Sequence, residues 1–275
     1  MVRTSLELVG APFLPNVDLC MATFSKATHA RLDLYLVETG AFKSRARAQQ
    51  AVKAGCVRVD GAVCLKPSHM LREGAVVDIA GDAHPYVSRG GLKLAAALRH
   101  FGVDAQGRVC LDLGASTGGF CDVLLRAGAR RIYAVDVGAG QLDPSIAADP
   151  RIINMEKTHA RDLSASTAPE PIELLTCDVS FISLKKALPP ALALGAPRAR
   201  LVALVKPQFE VGRAAIGKGG LVKPGRRNAE GVAEGICAWL DGQAGWRAEG
   251  YIPSPIDGGD GNREFLVCGV RDANV

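Results

Sequence analysis

The sequence has no apolar run long enough to cross a membrane and no visible internal repeat. Its first residues show neither a basic cluster nor an apolar core before a small-residue cleavage site, so we expect no signal peptide. The cysteines include no C-x-x-C pair, and the histidines show no ligand spacing. We therefore expect free thiols, no structural metal, no membrane partner and a cytoplasmic location.

The composition that is present supports a hydrophobic core. Hydrophobic residues make up 48% of the 275 positions, and the mean hydropathy is +0.13. A chain of this length allows one large domain or one medium-sized domain with a small one. The net charge of +5 is a mild basic excess, which is consistent with an anionic partner.

A strand, a glycine turn and a helix are predicted near the middle of the chain. Alternating apolar residues over Val109–Leu113 predict a buried strand, and the chain then turns at Gly114. Gly118 and Gly119 open an apolar run with helical spacing. Such a loop lets the backbone approach a ligand, and the helix N-terminus offers free N–H groups. The spacing is not the G-x-G-x-x-G of dinucleotide sites, which disfavours a dehydrogenase.

An acid follows the next apolar run, Ile132–Val135. This residue, Asp136, lies about twenty residues beyond the loop, where an acid can accept hydrogen bonds from the hydroxyls of a ribose. The loop and the acid together resemble the S-adenosylmethionine site of class I methyltransferases. That resemblance implies that the loop surrounds the methionine end of the cofactor and that Asp136 holds its ribose.

The N-terminal part of the chain predicts a tail and a small module. Residues 1–29 lack periodicity and predict a poorly ordered extension, and residues 30–80 predict a folded domain. Apolar residues over Leu32–Leu36 predict a first helix. Ser44 predicts the N-cap of a second helix that ends near Ala54.

The rest of this module predicts a small sheet. Alternating residues around Asp60-Gly61 predict a hairpin, and a further strand pair is expected to end at Val76–Ile79. Basic residues cluster on the second helix and the hairpin, which fits either a solvated face or a surface for phosphates. The module resembles the RNA-binding domain named after ribosomal protein S-four. The matching motifs are Arg31-Leu32-Asp33, Ser44-Arg45, Ala48-Gln49, Ala54-Gly55, Val57–Gly61 and Lys66-Pro67.

Residues 81–87 predict a linker, and residues 88–275 predict an α/β domain. The predicted strands cover Val109–Gly114, Arg131–Val137, Ile172–Asp178, Arg200–Lys206, Arg247–Ile252 and Phe265–Val270. The predicted helices cover Leu92–Leu98, Phe120–Ala127, Ser183–Leu194 and Asn228–Leu240. This alternation predicts a doubly wound, mostly parallel, Rossmann-like sheet with helices on both faces. Ligands of such sheets bind outside the carboxyl ends of the strands.

Four polar residues accompany these elements: Lys93, Asp178, Lys206 and Glu264. A charge that ends an apolar strand is often only solvated. Asp178 and Lys206, however, are expected to face the same crevice as Gly114.

The set of four polar residues resembles the Lys-Asp-Lys-Glu tetrad of FtsJ-like ribose 2'-O-methyltransferases. With the N-terminal module, the chain resembles the TlyA family of ribosomal RNA methyltransferases, also labelled hemolysin A. The motifs that carry this resemblance are Ser88–Leu94, Asp112–Phe120, Cys177–Ser183, Val205–Glu210 and Asn262–Leu266.

The resemblance implies that the cofactor is S-adenosylmethionine and that the partner is ribosomal RNA or a ribosomal subunit. We expect the protein to be a monomer. The implied cofactor-binding residues are Gly114, Ala115, Ser116, Thr117, Gly118, Gly119, Phe120, Asp136, Val137, His159, Ala160 and Asp178. The expected RNA-binding residues are Arg31, Lys43, Ser44, Arg45, Arg47, Lys53, Arg58 and Arg89. One position departs from the family pattern, because His159 stands where asparagine is expected.

The implied chemistry is methylation of a ribose hydroxyl, which is barely ionised at neutral pH. Lys206 is expected to act as the base, with Asp178 orienting it. Lys93 and Glu264 are expected to position the hydroxyl and balance charge. Burial beside another cation can lower a lysine pKa from its reference value of about 10.4, so that the amine can accept a proton.

Two other functions remain open on sequence grounds. The chain could be a non-catalytic RNA-binding factor in ribosome assembly, but the complete tetrad and glycine loop argue against this. A direct membrane-lytic activity is disfavoured because no strongly amphipathic basic helix is visible. The glycine-rich basic segment 211–227 predicts either a surface loop or a mobile lid over RNA.

Overall fold

The computed structural model describes residues 21–24, 30–42, 44–53, 55–80, 86–212, 215–217, 221–222, 229–258 and 261–274. The chain divides after residue 85 into two compact units. Several predictions lie outside the described residues: those for residues 1–20, Lys43, Ala54, residues 81–85 and the basic residues of the segment 211–227.

The smaller unit combines two helices with an antiparallel sheet, which has four strands among the described residues. In chain order its elements are β1 (Met21–Phe24), α1 (Leu32–Glu38), α2 (Arg45–Lys53), β2 (Val57–Val59), β3 (Ala62–Val63) and β4 (Val77–Ala80). The strands lie in the order β1-β4-β2-β3. Leu36, Val52 and Val77 are fully buried between helices and sheet. The predicted N-cap is confirmed, since Ser44 Oγ accepts a hydrogen bond from the Arg47 N–H at 3.4 Å.

The prediction of a poorly ordered extension is wrong for Met21–Phe24, which form β1. This strand pairs with β4 from Met21–Ala80 to Phe24–Val77. An unpaired strand edge binds a neighbouring strand through backbone groups, so a side-chain pattern is not required. Of the predicted second strand pair, the strand over Val76–Ile79 is confirmed as β4, which pairs with β2. Its predicted partner is wrong, since the described residues between β3 and β4 contribute only an isolated bridge between Met70 and Arg31.

The larger unit is built on a sheet with seven strands among the described residues. Its first elements are α3 (Gly90–His100), β5 (Val109–Leu113), α4 (Gly119–Arg126), β6 (Arg131–Val135), α5 (Pro144–Ala147), β7 (Ile152–Met155) and a 3₁₀ turn at Ala160–Asp162. They are followed by β8 (Ile172–Cys177), α6 (Leu184–Ala193), β9 (Gly195–Val205), α7 (Pro207–Glu210), α8 (Ala229–Asp241), β10 (Trp246–Pro253) and β11 (Phe265–Arg271). The strand order is β10-β11-β9-β8-β5-β6-β7.

Helices cover both faces of this sheet, as the sequence predicts. Successive residues of a strand point to opposite faces. Leu111 of β5 packs in the core that includes Leu188 of α6 and Ile236 of α8. Its neighbour Cys110 packs in the other core, with Leu94 of α3 and Leu124 of α4. Strands β9, β8, β5, β6 and β7 are parallel, whereas β10 and β11 are antiparallel.

The predicted strands and helices of this unit are confirmed where the structure describes them, but β7 was not predicted. Only Ile152 is buried in this strand, so its sequence carries little apolar signal. The residues Tyr86 and Val87 were expected in the linker. They pack instead against the core of the larger unit, and the Val87 N–H donates to Asp122 Oδ2 at 2.9 Å.

Candidate active site

The carboxyl ends of four neighbouring parallel strands meet at one edge of the larger sheet. The chain leaves β9, β8, β5 and β6 at Lys206, Asp178, Gly114 and Asp136. Glu264 reaches the same edge because β11 runs antiparallel to β9 and pairs Phe265 with Val205. The structure therefore brings together residues that lie far apart in the sequence, as the rule for strand ends predicts.

A cleft opens at this edge beside the glycine loop. Its lining residues are Ser88, Gly90, Lys93, Gly114, Ala115, Ser116, Thr117, Gly119, Phe120 and Asp178. Most of the predicted loop and two members of the predicted tetrad are among them. Ser88 and Gly90 were not predicted as site residues, although both lie in the Ser88–Leu94 motif. The remaining predicted residues lie outside the lining set: Gly118, Asp136, Val137, His159, Ala160, Lys206 and Glu264.

The loop conformation requires glycine at two positions. Gly114 has a φ of +86°, and a Cβ atom there would lie 2.6 Å from the carbonyl oxygen of Asp178. Gly118 has a φ of +91° and immediately precedes α4. A side chain at Gly114 would separate the loop from the backbone after β8, so this glycine keeps Asp178 close to the loop.

Asp136 ties the two loops after β5 and β6 together. Its carboxylate accepts the Ser116 N–H at 2.8 Å and the Gly138 N–H at 2.7 Å. Each oxygen retains lone pairs for a further donor. Val137 and His159 are exposed, and the backbone N–H of Thr158 donates to the Asp136 carbonyl at 2.9 Å.

Two lysine–carboxylate pairs connect the members of the predicted tetrad. Lys93 Nζ lies 2.5 Å from Glu264 Oε2, and both side chains are buried. Lys206 Nζ lies 2.6 Å from Asp178 Oδ1, with 13% and 21% of the two side chains exposed. The second pair lacks hydrogen-bond geometry at Asp178 Oδ1, and Lys206 donates instead to Ser180 Oγ at 2.8 Å. Two lysine–carboxylate pairs therefore lie at the cleft. The Lys93–Glu264 pair is buried, whereas the Lys206–Asp178 pair is partly exposed to solvent.

An unpredicted acid lies beneath the glycine loop. Asp112, in β5, has no exposed surface and accepts hydrogen bonds from Thr176 Oγ1 at 2.8 Å and Cys121 Sγ at 3.2 Å. Burial, opposed in part by these hydrogen bonds, raises the pKa of Asp112 to about 7, and the nearby Asp178 and Asp136 carboxylates add to the rise. Thr176 lies on β8 two residues before Asp178. Its hydrogen bond to Asp112 therefore connects β5, which leads into the glycine loop, with β8, which leads to Asp178.

The smaller unit carries most of the expected RNA-binding residues. Arg31 Nε donates to Asp33 Oδ1 at 3.0 Å, Arg45 Nε to Asp33 Oδ2 at 2.9 Å, and Gln49 Nε2 to the same oxygen at 2.7 Å. Asp33 itself is fully buried. The hydrogen bond from Arg31, with those from Gln49 and Arg45, outweighs burial and holds the pKa of Asp33 well below its usual range.

The other expected RNA-binding residues are placed at several surfaces. Ser44, Lys53 and Arg58 are exposed, and Arg47 is partly buried. Arg89 belongs to the larger unit, where it lies between the cleft residues Ser88 and Gly90 and donates to the Asp257 carbonyl at 3.1 Å.

The cleft fits an adenosyl and methionine group. Its lining includes the glycines Gly90, Gly114 and Gly119, which add no side-chain bulk, and it lies beside the start of α4, where the first helical N–H groups lack intrahelical partners. Asp178 lines the cleft, and its buried Oδ1 lies against Lys206 Nζ. Asp136 supplies a carboxylate at the neighbouring strand end, at the position at which this fold holds ribose hydroxyls.

Comparison with known families agrees with this geometry. The model of the FtsJ-like methyltransferase family matches residues 86–271, and that of the S4 domain matches residues 30–77. The larger unit is therefore an S-adenosylmethionine-dependent methyltransferase domain of the FtsJ-like class, as the resemblance implied.

Similar proteins share most of this length. The 16S/23S rRNA (cytidine-2'-O)-methyltransferase TlyA of Mycobacterium tuberculosis is 40% identical over 88% of this chain and 90% of its own. Hemolysin A of Brachyspira hyodysenteriae is 35% identical over 86% of this chain and 98% of its own. A solved structure from Streptococcus thermophilus, described as a hemolysin, matches with a TM-score of 0.67 and 38% identity over 89% of each chain. The chain belongs to the TlyA family.

Among the described residues, no helix combines the length and apolarity needed to span a membrane.

Proposed function

We propose that this chain transfers a methyl group from S-adenosylmethionine to a ribose 2'-hydroxyl of ribosomal RNA. The observation that carries the proposal is the Lys206–Asp178 pair, which lies at 2.6 Å beside the glycine-loop cleft and is open to solvent on one side. A methyl donor in the cleft and a macromolecular hydroxyl outside it can both reach this pair. The named activity of the Mycobacterium tuberculosis relative supports the same reaction and RNA class.

In this proposal Lys206 Nζ accepts the proton of the ribose hydroxyl as its oxygen attacks. The oxygen bonds to the methyl carbon, and the carbon–sulfur bond breaks with its electron pair retained on sulfur. Asp178 stabilises the ammonium that forms on Lys206, as a carboxylate does beside a catalytic base. Much of the rate comes from holding the hydroxyl near attack distance.

The buried pair has a different proposed role. Lys93 and Glu264 form a buried ion pair on the inner side of the site, with Lys93 Nζ 2.5 Å from Glu264 Oε2, so their charges neutralise each other. Lys93 also lines the cleft, so its ammonium can donate to the hydroxyl oxygen and hold it while Lys206 takes the proton. The proposed cofactor contacts are the loop Gly114–Phe120 and Asp136, with Val137, His159 and Ala160 as outer contacts.

We propose that the smaller unit binds the RNA. The guanidinium groups of Arg31 and Arg45 are fixed by Asp33 and retain N–H groups directed away from it. Contacts of this kind bind phosphates and position an RNA without reading its sequence. The proposed domains are residues 30–80 for RNA binding and residues 88–275 for catalysis, with Tyr86 and Val87 packed on the catalytic domain. A substrate of ribosomal RNA implies that the protein acts in the cytoplasm.

The test is methyl transfer to ribosomal subunits purified from a strain that lacks this gene. The full-length protein is incubated with each subunit and S-adenosylmethionine labelled on its methyl group, and the RNA is then hydrolysed with alkali. A 2'-O-methyl group removes the nucleophile of alkaline cleavage, so we expect the label in an alkali-stable dinucleotide, and no label with Lys206→Ala. Label in mononucleotides would mean base methylation. RNA binding without any label would support the non-catalytic assembly factor instead.

A further inference from the structure

In the part of the chain that the structure describes, Lys206 donates one directional hydrogen bond, and its acceptor is a residue outside the tetrad. Among the described residues, the polar neighbours of Lys206 Nζ are Asp178 Oδ1 at 2.6 Å and Ser180 Oγ at 2.8 Å. The contact to Asp178 is an ion pair without hydrogen-bond geometry. An ion pair attracts the amine but does not fix its rotation, whereas a hydrogen bond does both.

The rotation of the amine matters for proton transfer. A neutral lysine amine has two N–H groups and one lone pair in a tetrahedral arrangement. If one N–H is held by Ser180 and the amine is drawn to Asp178, the lone pair is confined to the remaining direction. Without the hydrogen bond, the amine turns freely about its last carbon–nitrogen bond, and fewer of its orientations can accept a proton from the hydroxyl.

The loop that carries Ser180 is held in place by its neighbours. Phe181 follows it with a φ of +65°, an uncommon conformation for a bulky residue, and its ring lies 5.1 Å from the ring of Phe209. Ser183 Oγ donates to Glu210 Oε2 at 2.6 Å. Phe209 and Glu210 lie in α7, directly after Lys206. These two contacts therefore hold the loop after β8 against α7, the helix that follows Lys206.

Strained backbone is retained where surrounding contacts enforce it, and such positions cluster at functional sites. Ser180 is exposed, so burial does not explain its place. Phe181 is 90% exposed as well, and its strained conformation contributes little core packing.

We propose that Ser180 is a positioning residue that orients the Lys206 amine toward the ribose hydroxyl. This inference rests on the proposed role of Lys206 as the base. As a hydrogen-bond acceptor, the Ser180 oxygen adds no net charge, so it directs the amine without favouring the ammonium form as strongly as a second carboxylate would.

The test measures single-turnover methyl transfer by the full-length protein, with ribosomal subunits and S-adenosylmethionine both saturating. We expect Ser180→Ala to lower the rate by about ten- to a hundred-fold. When each substrate is then varied in turn, the concentration that gives half the maximal rate should stay within two-fold of wild type. Ser180→Thr keeps the hydroxyl and should restore most of the rate. Ser166→Ala is the control, since this exposed serine bonds Ser164 away from the cleft and should have no effect.

A pH profile separates orientation from a purely structural role. Ser180→Asp places a second carboxylate beside Nζ, which favours the ammonium form, so the acid limb of the profile should move upward by about one pH unit or more. An unchanged rate in Ser180→Ala, with Lys206→Ala inactive, would overturn the inference alone. Full activity in Lys206→Ala would overturn the proposed base, and the inference with it.

Discussion

The two units each bury an aspartate completely, and the two side chains have opposite properties. Asp33 in the smaller unit is surrounded by donors that include two guanidinium groups, Arg31 and Arg45. Asp112 in the larger unit has a hydroxyl and a thiol as its donors. The pKa of Asp33 is lowered, whereas that of Asp112 is raised to about 7. The two pKa values thus shift in opposite directions, because charged donors outweigh desolvation at Asp33, whereas Asp112 lies deep in the core with only neutral donors to oppose it.

This difference matches what each unit is proposed to do. An ionised Asp33 holds two arginines in fixed directions at a surface, where their remaining N–H groups can meet phosphates. Asp112 lies beneath the cofactor loop, where a full negative charge would repel the Asp178 and Asp136 carboxylates. Protonation of Asp112 near neutral pH reduces that repulsion beneath the loop.

The largest effect is expected from Asp112→Asn, which removes the titration. In the unfolded chain the carboxyl has its ordinary pKa of 3.8, against about 7 in the fold. Wild-type stability should therefore decline as pH rises from about 4 to 7, by on the order of 4 kcal/mol in total, because the unfolded chain releases its proton first. Urea unfolding at pH 5 and pH 8 should show a smaller loss in Asp112→Asn. An identical loss in both proteins would mean that Asp112 is ionised in the fold at both pH values.

The next effect is expected from Asp33→Asn, and its pH dependence has the opposite sign. The lowered pKa makes the Asp33 contribution fully present above the unfolded value of 3.8 and lost as pH falls toward the folded value. At pH 7 we expect a loss of about 2 kcal/mol, reduced from the buried-pair range because the arginine side chains are 39% and 51% exposed.

Urea unfolding of Asp33→Asn at pH 7 and pH 3 checks this, with Glu38→Gln on the exposed side of the same helix as the control. The difference in unfolding free energy between the wild type and Asp33→Asn should be smaller at pH 3 than at pH 7. A constant difference between them at the two pH values would contradict the ionised state of Asp33.

The smallest effect is expected from Asp136→Ala, a third acid, which is only partly buried and accepts hydrogen bonds from backbone N–H groups. Its loss removes the link between Ser116 and Gly138 as well as the proposed ribose contact. We expect S-adenosylmethionine affinity to fall about ten-fold, or about 1.4 kcal/mol, in calorimetry. Asp162→Ala, an exposed acid farther along the chain, is the control. Unchanged affinity would remove Asp136 from the cofactor site.

Much of the fold was predictable because its elements carry strong periodic patterns. The strands that end at Asp178 and Lys206 are continuous apolar runs, and the rule for parallel strand ends places their last residues together. β1 and β7 were not predicted, because edge strands are held by backbone pairing and need few apolar residues. Ile152 is the buried residue of β7, which is too little to define a strand by pattern.

The buried aspartates show what sequence reasoning could not supply. Asp112 appears in the sequence as one polar residue within an apolar strand, and its partner Thr176 lies 64 positions away. The Ser180–Lys206 contact spans 26 positions and depends on the turn at Phe181. Such contacts follow from loop geometry, which residue types and spacing do not determine.

The most direct measurement is the single-turnover rate of Lys206→Arg, with ribosomal subunits and S-adenosylmethionine saturating. Arginine keeps the positive charge beside Asp178 but cannot accept a proton at neutral pH. We predict a loss of at least about a hundred-fold with unchanged cofactor affinity, while Lys185→Arg on the exposed face of α6 stays at the wild-type rate. A near-wild-type rate for Lys206→Arg would contradict proton transfer to Lys206 and leave it as an electrostatic anchor.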